Sequence, residues 1–129
     1  MGIDYGSKRV GIAISDENAQ FAIPNVVISN NKKLLSEVLN ICKTNDISEI
    51  VLGESKDYKM NDNPIMKEIS EFKLNLEREK IKVHLELEYM TSAQATFFQK
   101  ENKMIDASAA AIILQSYLDR KNMGYNKLA

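Results

Sequence analysis

The run Gly2-Ile3-Asp4-Tyr5-Gly6-Ser7-Lys8-Arg9-Val10-Gly11-Ile12-Ala13-Ile14 constrains the fold more than any other stretch of the chain. Small and apolar residues lead into Asp4, a Gly-Ser pair follows, and Val10, Ile12 and Ile14 then alternate with Gly11 and Ala13. Alternation of period two beside such a turn predicts a β-hairpin. Its first strand carries a carboxylate, and burying one without a compensating cation or donors costs roughly several kcal/mol. A metal would compensate Asp4. Turn chemistry is the competing reading, because Asp beside Gly is favoured for local hydrogen bonding alone. The hairpin by itself leaves both readings open.

The remaining chain supplies the frame around this hairpin. Asn25–Ser29 reads as a third strand with Pro24 at its start, where a missing donor is tolerated. From Asn31 the period changes, and Leu34, Leu35, Val38, Leu39 and Cys42 predict a helix closed by Asn45-Asp46. Ile47–Gly53 is a short apolar run suited to a strand buried on both faces, so a parallel crossover is expected. A polar loop, Glu54–Asn63, leads to Pro64 and a helix burying Ile65, Ile69, Phe72 and Leu76. Ile81–Tyr89 alternates, with Ile81, Val83, Leu85, Leu87 and Tyr89 opposite Lys82, His84, Glu86 and Glu88, and predicts a half-exposed strand. Thr91 and Ser92 suit the cap of a short helix to about Lys100. Asp106 opens an alanine-rich helix through Arg120. The expectation is an α/β fold: a five-stranded mixed sheet, three antiparallel strands then two parallel, flanked by helices. Residues 1–120 form one domain, and 121–129 are a fraying tail.

Composition narrows the function classes. A chain of 129 residues holds one core and no second full domain. Its net charge of -1 neither supports nor excludes nucleic-acid binding, which needs only a local positive surface. Cys42 is the sole cysteine, so neither an internal disulfide nor a cysteine zinc cluster is available. No leader pattern or bilayer-length apolar run is visible, and a cytoplasmic protein is expected. The lone His84, in mid-strand, makes Ser-His or His-metal chemistry a poor fit.

Functional groups of an open sheet collect beyond the carboxyl ends of its parallel strands. Asp4, Glu54 and Glu88 lie at or near three such ends, and Asp106 joins them if the last helix starts at the same rim. Carboxylates gathered there raise one another's pKa unless countered. Two hard divalent cations about 4 Å apart, Mg²⁺ or Mn²⁺, would counter them and serve phosphodiester hydrolysis. Taken singly, Glu88 fits a solvated strand residue better than a ligand, Asp106 fits an ordinary N-cap, and Glu54 fits a loop acid. Lys8, Arg9, Lys56, Lys59, Lys100 and Lys103 lie in loops that could face the same rim and meet phosphates, although any single lysine fits a solvated surface better.

Four segments in order, Gly2–Ala13, Ile50–Gly53, Thr91–Ala95 and Asp106–Leu118, resemble the YqgF family, described as Holliday junction resolvase-like proteins or pre-16S rRNA nucleases with a ribonuclease H-like fold. The resemblance implies a metal-dependent nuclease with Asp4, Glu88 and Asp106 as its acids, Mg²⁺ or Mn²⁺ as cofactor, and structured RNA or branched DNA as partner. The substrate-binding candidates are Lys8, Arg9, Lys56 and Lys59. Two departures stand out. Where the family usually reads Asp-Glu-Arg, this chain has Leu87-Glu88-Tyr89, and where it reads Gly-Leu-Pro, this chain has Gly53-Glu54-Ser55. Glu54 is the candidate replacement for the acid absent at Leu87. Outside the nucleases, Asp-x-Gly-Ser at a hairpin also resembles the phosphate loop of actin-like ATPases, which need a second lobe that this length does not provide. A weakly catalytic nucleic-acid-binding module is the remaining rival.

Overall fold

The computed structural model describes residues 1–54, 65–87 and 105–128. Strands β1 (Gly2–Tyr5), β2 (Arg9–Ser15) and β3 (Ala22–Ser29) precede helix α1 (Leu34–Thr44) and strand β4 (Glu49–Glu54). Helix α2 (Met66–Arg78), strand β5 (Lys82–Leu87) and helix α3 (Ile105–Leu128) complete the described order. The short helix expected over Thr91–Lys100 lies outside the described residues.

The strands form one sheet in the order β3-β2-β1-β4-β5. β1 pairs antiparallel with β2, Ile3 opposite Ile12 and Asp4 opposite Gly11, so the hairpin forms as its alternation predicts. β1 also pairs parallel with β4, and β4 with β5. The expected mixed sheet of three antiparallel and two parallel strands is therefore present. β3 starts earlier than predicted, at Ala22, and contains Pro24 instead of beginning after it. The ladder shifts there: Val26 pairs with Ile12 and Pro24 with Ala13, leaving Asn25 unopposed. An edge strand with a bulge accommodates the donor that proline lacks.

Alternation divides the apolar residues between two faces. Ile3, Ile12, Ile50 and Leu52 pack with Leu34, Val38 and Cys42 of α1 and Ile69, Phe72 and Leu76 of α2. On the other face Ala13 and Val51 pack with Ala110, Ile113, Leu114 and Leu118 of α3. β4 is thus buried on both sides, as its unbroken apolar run implied. Gly2 lies beneath α3, where an added Cβ would come within 2.6 Å of both the Ala110 carbonyl oxygen and the Leu114 Cβ. Absence of a side chain is what lets helix and strand approach.

Three hydrogen bonds orient α3. Gln115 accepts from Ala22 N–H and donates to the Gln20 carbonyl, both at 2.8 Å, and Asn122 donates to the Ala19 carbonyl at 3.3 Å. Residues 19–21 connect β2 to β3 and Ala22 opens β3, at the end of the sheet opposite the β1–β2 turn. The later part of α3 therefore sits at that far end, the helix runs antiparallel to β1, and its first turn arrives at the rim where β1 ends. α3 also continues to Leu128 instead of ending at Arg120. Its extension is held by the Asn122 bond, against a cost of about 1 kcal/mol for Gly124 in a helix. No described helix is long and apolar enough to cross a membrane.

Candidate active site

Asp4 is the penultimate residue of β1 and is half-buried. Its neighbours fix the direction it faces. Tyr5 packs its ring 5.4 Å from that of Phe72, and Ile3 is fully buried among α1 and α2, so both point to the two-helix side. Asp4, like Gly2, points to the α3 side. Asp106 is the second residue of α3, and the antiparallel run of that helix brings its first turn to the same rim. Glu54 ends β4 on the neighbouring parallel strand, at the carboxyl rim predicted for it. Glu54 is also the register partner of Leu87 at the end of β5. Positions 54 and 87 are thus one strand spacing, about 4.8 Å, apart.

Glu88, Lys56 and Lys59 lie outside the described residues, as do Lys100 and Lys103. Lys8 and Arg9 are exposed at the β1–β2 turn, on the rim that Asp4 approaches. Among the described residues no three acidic, histidine or cysteine side chains come together as a metal site. The predicted ligand set is wholly carboxylate, which in donor chemistry suits a hard, oxygen-seeking cation.

Gly6 closes the turn beneath this rim, since a Cβ there would collide with the Arg9 carbonyl oxygen. The turn is then tied across the sheet. Asn30 donates from its side chain to the Gly6 carbonyl at 2.8 Å, and its backbone N–H donates to the Lys8 carbonyl at 2.9 Å. Asn31 then turns the chain toward α1, its carboxamide oxygen accepting from Lys33 N–H at 2.9 Å. Sequence reasoning passed over Asn30. Its only local signal is an Asn ahead of a helical pattern, which does not reveal a partner on another strand.

β5 corrects the expectation of a solvated polar face. Glu86 is buried, ion-paired with Arg120 and accepting from the Ser116 hydroxyl at 3.2 Å. His84 stacks on Tyr117, ring centroids 4.8 Å apart, and bonds Glu49 through Nε2 at 3.0 Å. α3 covers this face, so alternating charges that look solvent-bound are packed beneath a helix. The His84 hydrogen bond, followed by burial in the opposite sense and then nearby Lys121, leaves the Glu49 pKa below the ordinary carboxyl value. Burial pushes the Tyr117 phenol upward, and the Glu49 charge adds to that shift.

Residues 1–120 match a family model described as RuvX, Holliday junction resolvase. The chain is 32% identical to a protein of Maridesulfovibrio salexigens, across 93% of this chain and 97% of that one. It is 35% identical to a protein of Sulfurihydrogenibium sp., across 93% and 89% of the two chains. Both relatives are named "Putative pre-16S rRNA nuclease". Among solved structures, the Fowlpox virus resolvase, crystallised with substrate Holliday junction DNA, superposes with a TM-score of 0.52. That match covers 92% of this chain and 95% of the viral one at 12% identity, a likeness of fold. The ribonuclease H-like architecture expected from the four segments is the one observed, and the chain belongs to the RuvX family of Holliday junction resolvases.

Proposed function

We propose that this protein is a divalent-metal-dependent nuclease that hydrolyses phosphodiester bonds during maturation of the 5′ end of pre-16S ribosomal RNA in the cytoplasm. The observation that carries the reading is the antiparallel run of α3 over β1. It brings the Asp106 turn to the rim that Asp4 faces, in a chain of a resolvase family. In this reading Asp4, Glu88 and Asp106 hold two Mg²⁺ or Mn²⁺ ions. Glu54, at the end of the strand beside β1, is the candidate for the carboxylate absent at Leu87. When bound, the metals activate the attacking water and stabilise the leaving oxygen. Asp4 and Asp106 orient that charge between strand and helix. Lys8, Arg9, Lys56 and Lys59 hold the flanking phosphates as cations.

The resolvase family name and the viral fold relative favour a second substrate, branched DNA. Wild type and Asp4→Asn, each offered a pre-16S rRNA fragment and a four-way DNA junction with and without Mn²⁺, separate these readings. Wild type should cleave only with metal, Asp4→Asn should lose cleavage, and the preferred substrate identifies the role. Equal cleavage by both proteins would sink the assignment. Glu54→Gln should weaken metal affinity, and unchanged affinity removes Glu54 from the site.

A further inference from the structure

The basic residues at the working rim are not confined to the hairpin turn. β3 ends at Ser29 opposite Arg9, and the chain passes through Asn30 into Asn31-Lys32-Lys33 before α1 begins. Asn30 fastens this segment to the hairpin with the two bonds to Gly6 and Lys8. The Asn31 carboxamide then fixes the backbone at Lys33, and the Lys33 carbonyl accepts from the Ser36 hydroxyl at 2.9 Å. Lys8, Arg9, Lys32 and Lys33 are all exposed. Two separate turns thereby present four cations as one ledge on scaffolded backbone, with Glu37 in the first turn of α1 the acid that accompanies them. In a chain of net charge -1, such a concentration at one rim is a local field and not a bulk property.

We infer that Lys32 and Lys33 extend the substrate surface beyond Lys8 and Arg9, gripping the phosphate backbone of the nucleic acid along the Asn30-tied ledge on the α1 side of the cleavage rim. The inference rests on the nuclease reading above and adds to it where the substrate leaves the site. Contacts of this kind grip phosphates without reading base sequence, so they contribute affinity and register and little specificity.

The test is the salt dependence of binding in EDTA, where no cleavage occurs, by fluorescence anisotropy of a labelled four-way DNA junction and a labelled pre-16S rRNA fragment. Lys32→Gln/Lys33→Gln is compared with Lys43→Gln/Lys80→Gln. Lys43 lies in the last turn of α1 and Lys80 just past the end of α2, both at the opposite rim. Loss of two phosphate contacts should lower the slope of log affinity against log salt by about 1.4 to 1.8 for the first pair. The slope for the second pair should match wild type. Salt-dependent wild-type binding with equal slopes in both variants overturns the ledge alone. Absence of any salt-dependent wild-type binding to either probe overturns the nuclease reading and the ledge with it. All four lysines are exposed, so unchanged circular-dichroism melts are expected for both variants.

Discussion

The two faces of the sheet are packed by different means. Toward α1 and α2, large aliphatic side chains fill the space, with Ile3, Ile12, Ile50, Leu52, Ile69 and Leu76 each almost wholly buried. Toward α3, the contact is made by subtraction: Gly2, Ala13, Ala107 and Ala110 leave little between backbone and backbone, and polar ties at Gln115, Asn122, Ser116 and Arg120 secure the helix. The first face is held by volume. The second is held by distance, and it is the face toward which Asp4 points. Packing of the second kind fixes the separation between β1 and α3 closely.

That contrast can be broken from either side. Leu52→Ala should have the largest effect, destabilising by about 2 to 5 kcal/mol in urea unfolding by emptying the two-helix core. Cleavage per folded molecule should stay near wild type. Gly2→Ala reverses the order of effects: a methyl placed 2.6 Å from the Ala110 carbonyl should cost about 1 to 3 kcal/mol through overpacking. It should also lower cleavage out of proportion, because α3 must move away from β1. If the two substitutions reduce activity only in step with stability, the distinction between the faces fails.

Arg120→Ala sharpens the comparison at the polar ties. It leaves the buried Glu86 carboxylate with Ser116 as its described partner, and a loss of about 1 to 3 kcal/mol is expected from an under-satisfied buried acceptor. Glu86→Gln should cost less, since Arg120 is largely exposed and can rehydrate. Equal losses would show that the pair, and not the burial of Glu86, sets the effect.

The smallest effect is expected at the Glu49–His84 pair. The Glu49 pKa is depressed below 4.5 in the folded protein, chiefly by the His84 hydrogen bond, so its contribution is present above about pH 4.5 and lost as pH falls through the lower folded value. His84→Ala should flatten the urea-midpoint profile below about pH 4.5, where the Glu49 contribution is otherwise lost. Because Glu49 is substantially exposed, the change should be slight.

Residues whose partners are near in sequence declared themselves most clearly. The hairpin was legible because its alternation and its turn lie within one short stretch, and β4 because burial on both faces makes its middle, Ile50–Leu52, wholly apolar. Glu86 was not. Its alternation with His84 is the pattern of a solvated face, and what covers it is a helix whose Ser116 and Arg120 say nothing locally about their partner. The extra length of β3 was hidden by Pro24, which punctuates a sequence but is harmless at a bulged edge. Positions of Asp4, Glu54 and Asp106 at strand and helix ends followed from topology. The Asn30 tie did not, because it joins two turns through a single carboxamide.

The bonds from Gln115 and Asn122 to residues 19–22 span 93 to 103 positions of the chain. Contacts that distant close late, after local pairings have formed. On a chain made from the amino terminus onward, β1 to β3 can assemble long before α3 exists. The face toward which Asp4 points then stays bare until α3 packs on it. The α3 face of the sheet is therefore completed only once α3 has been made.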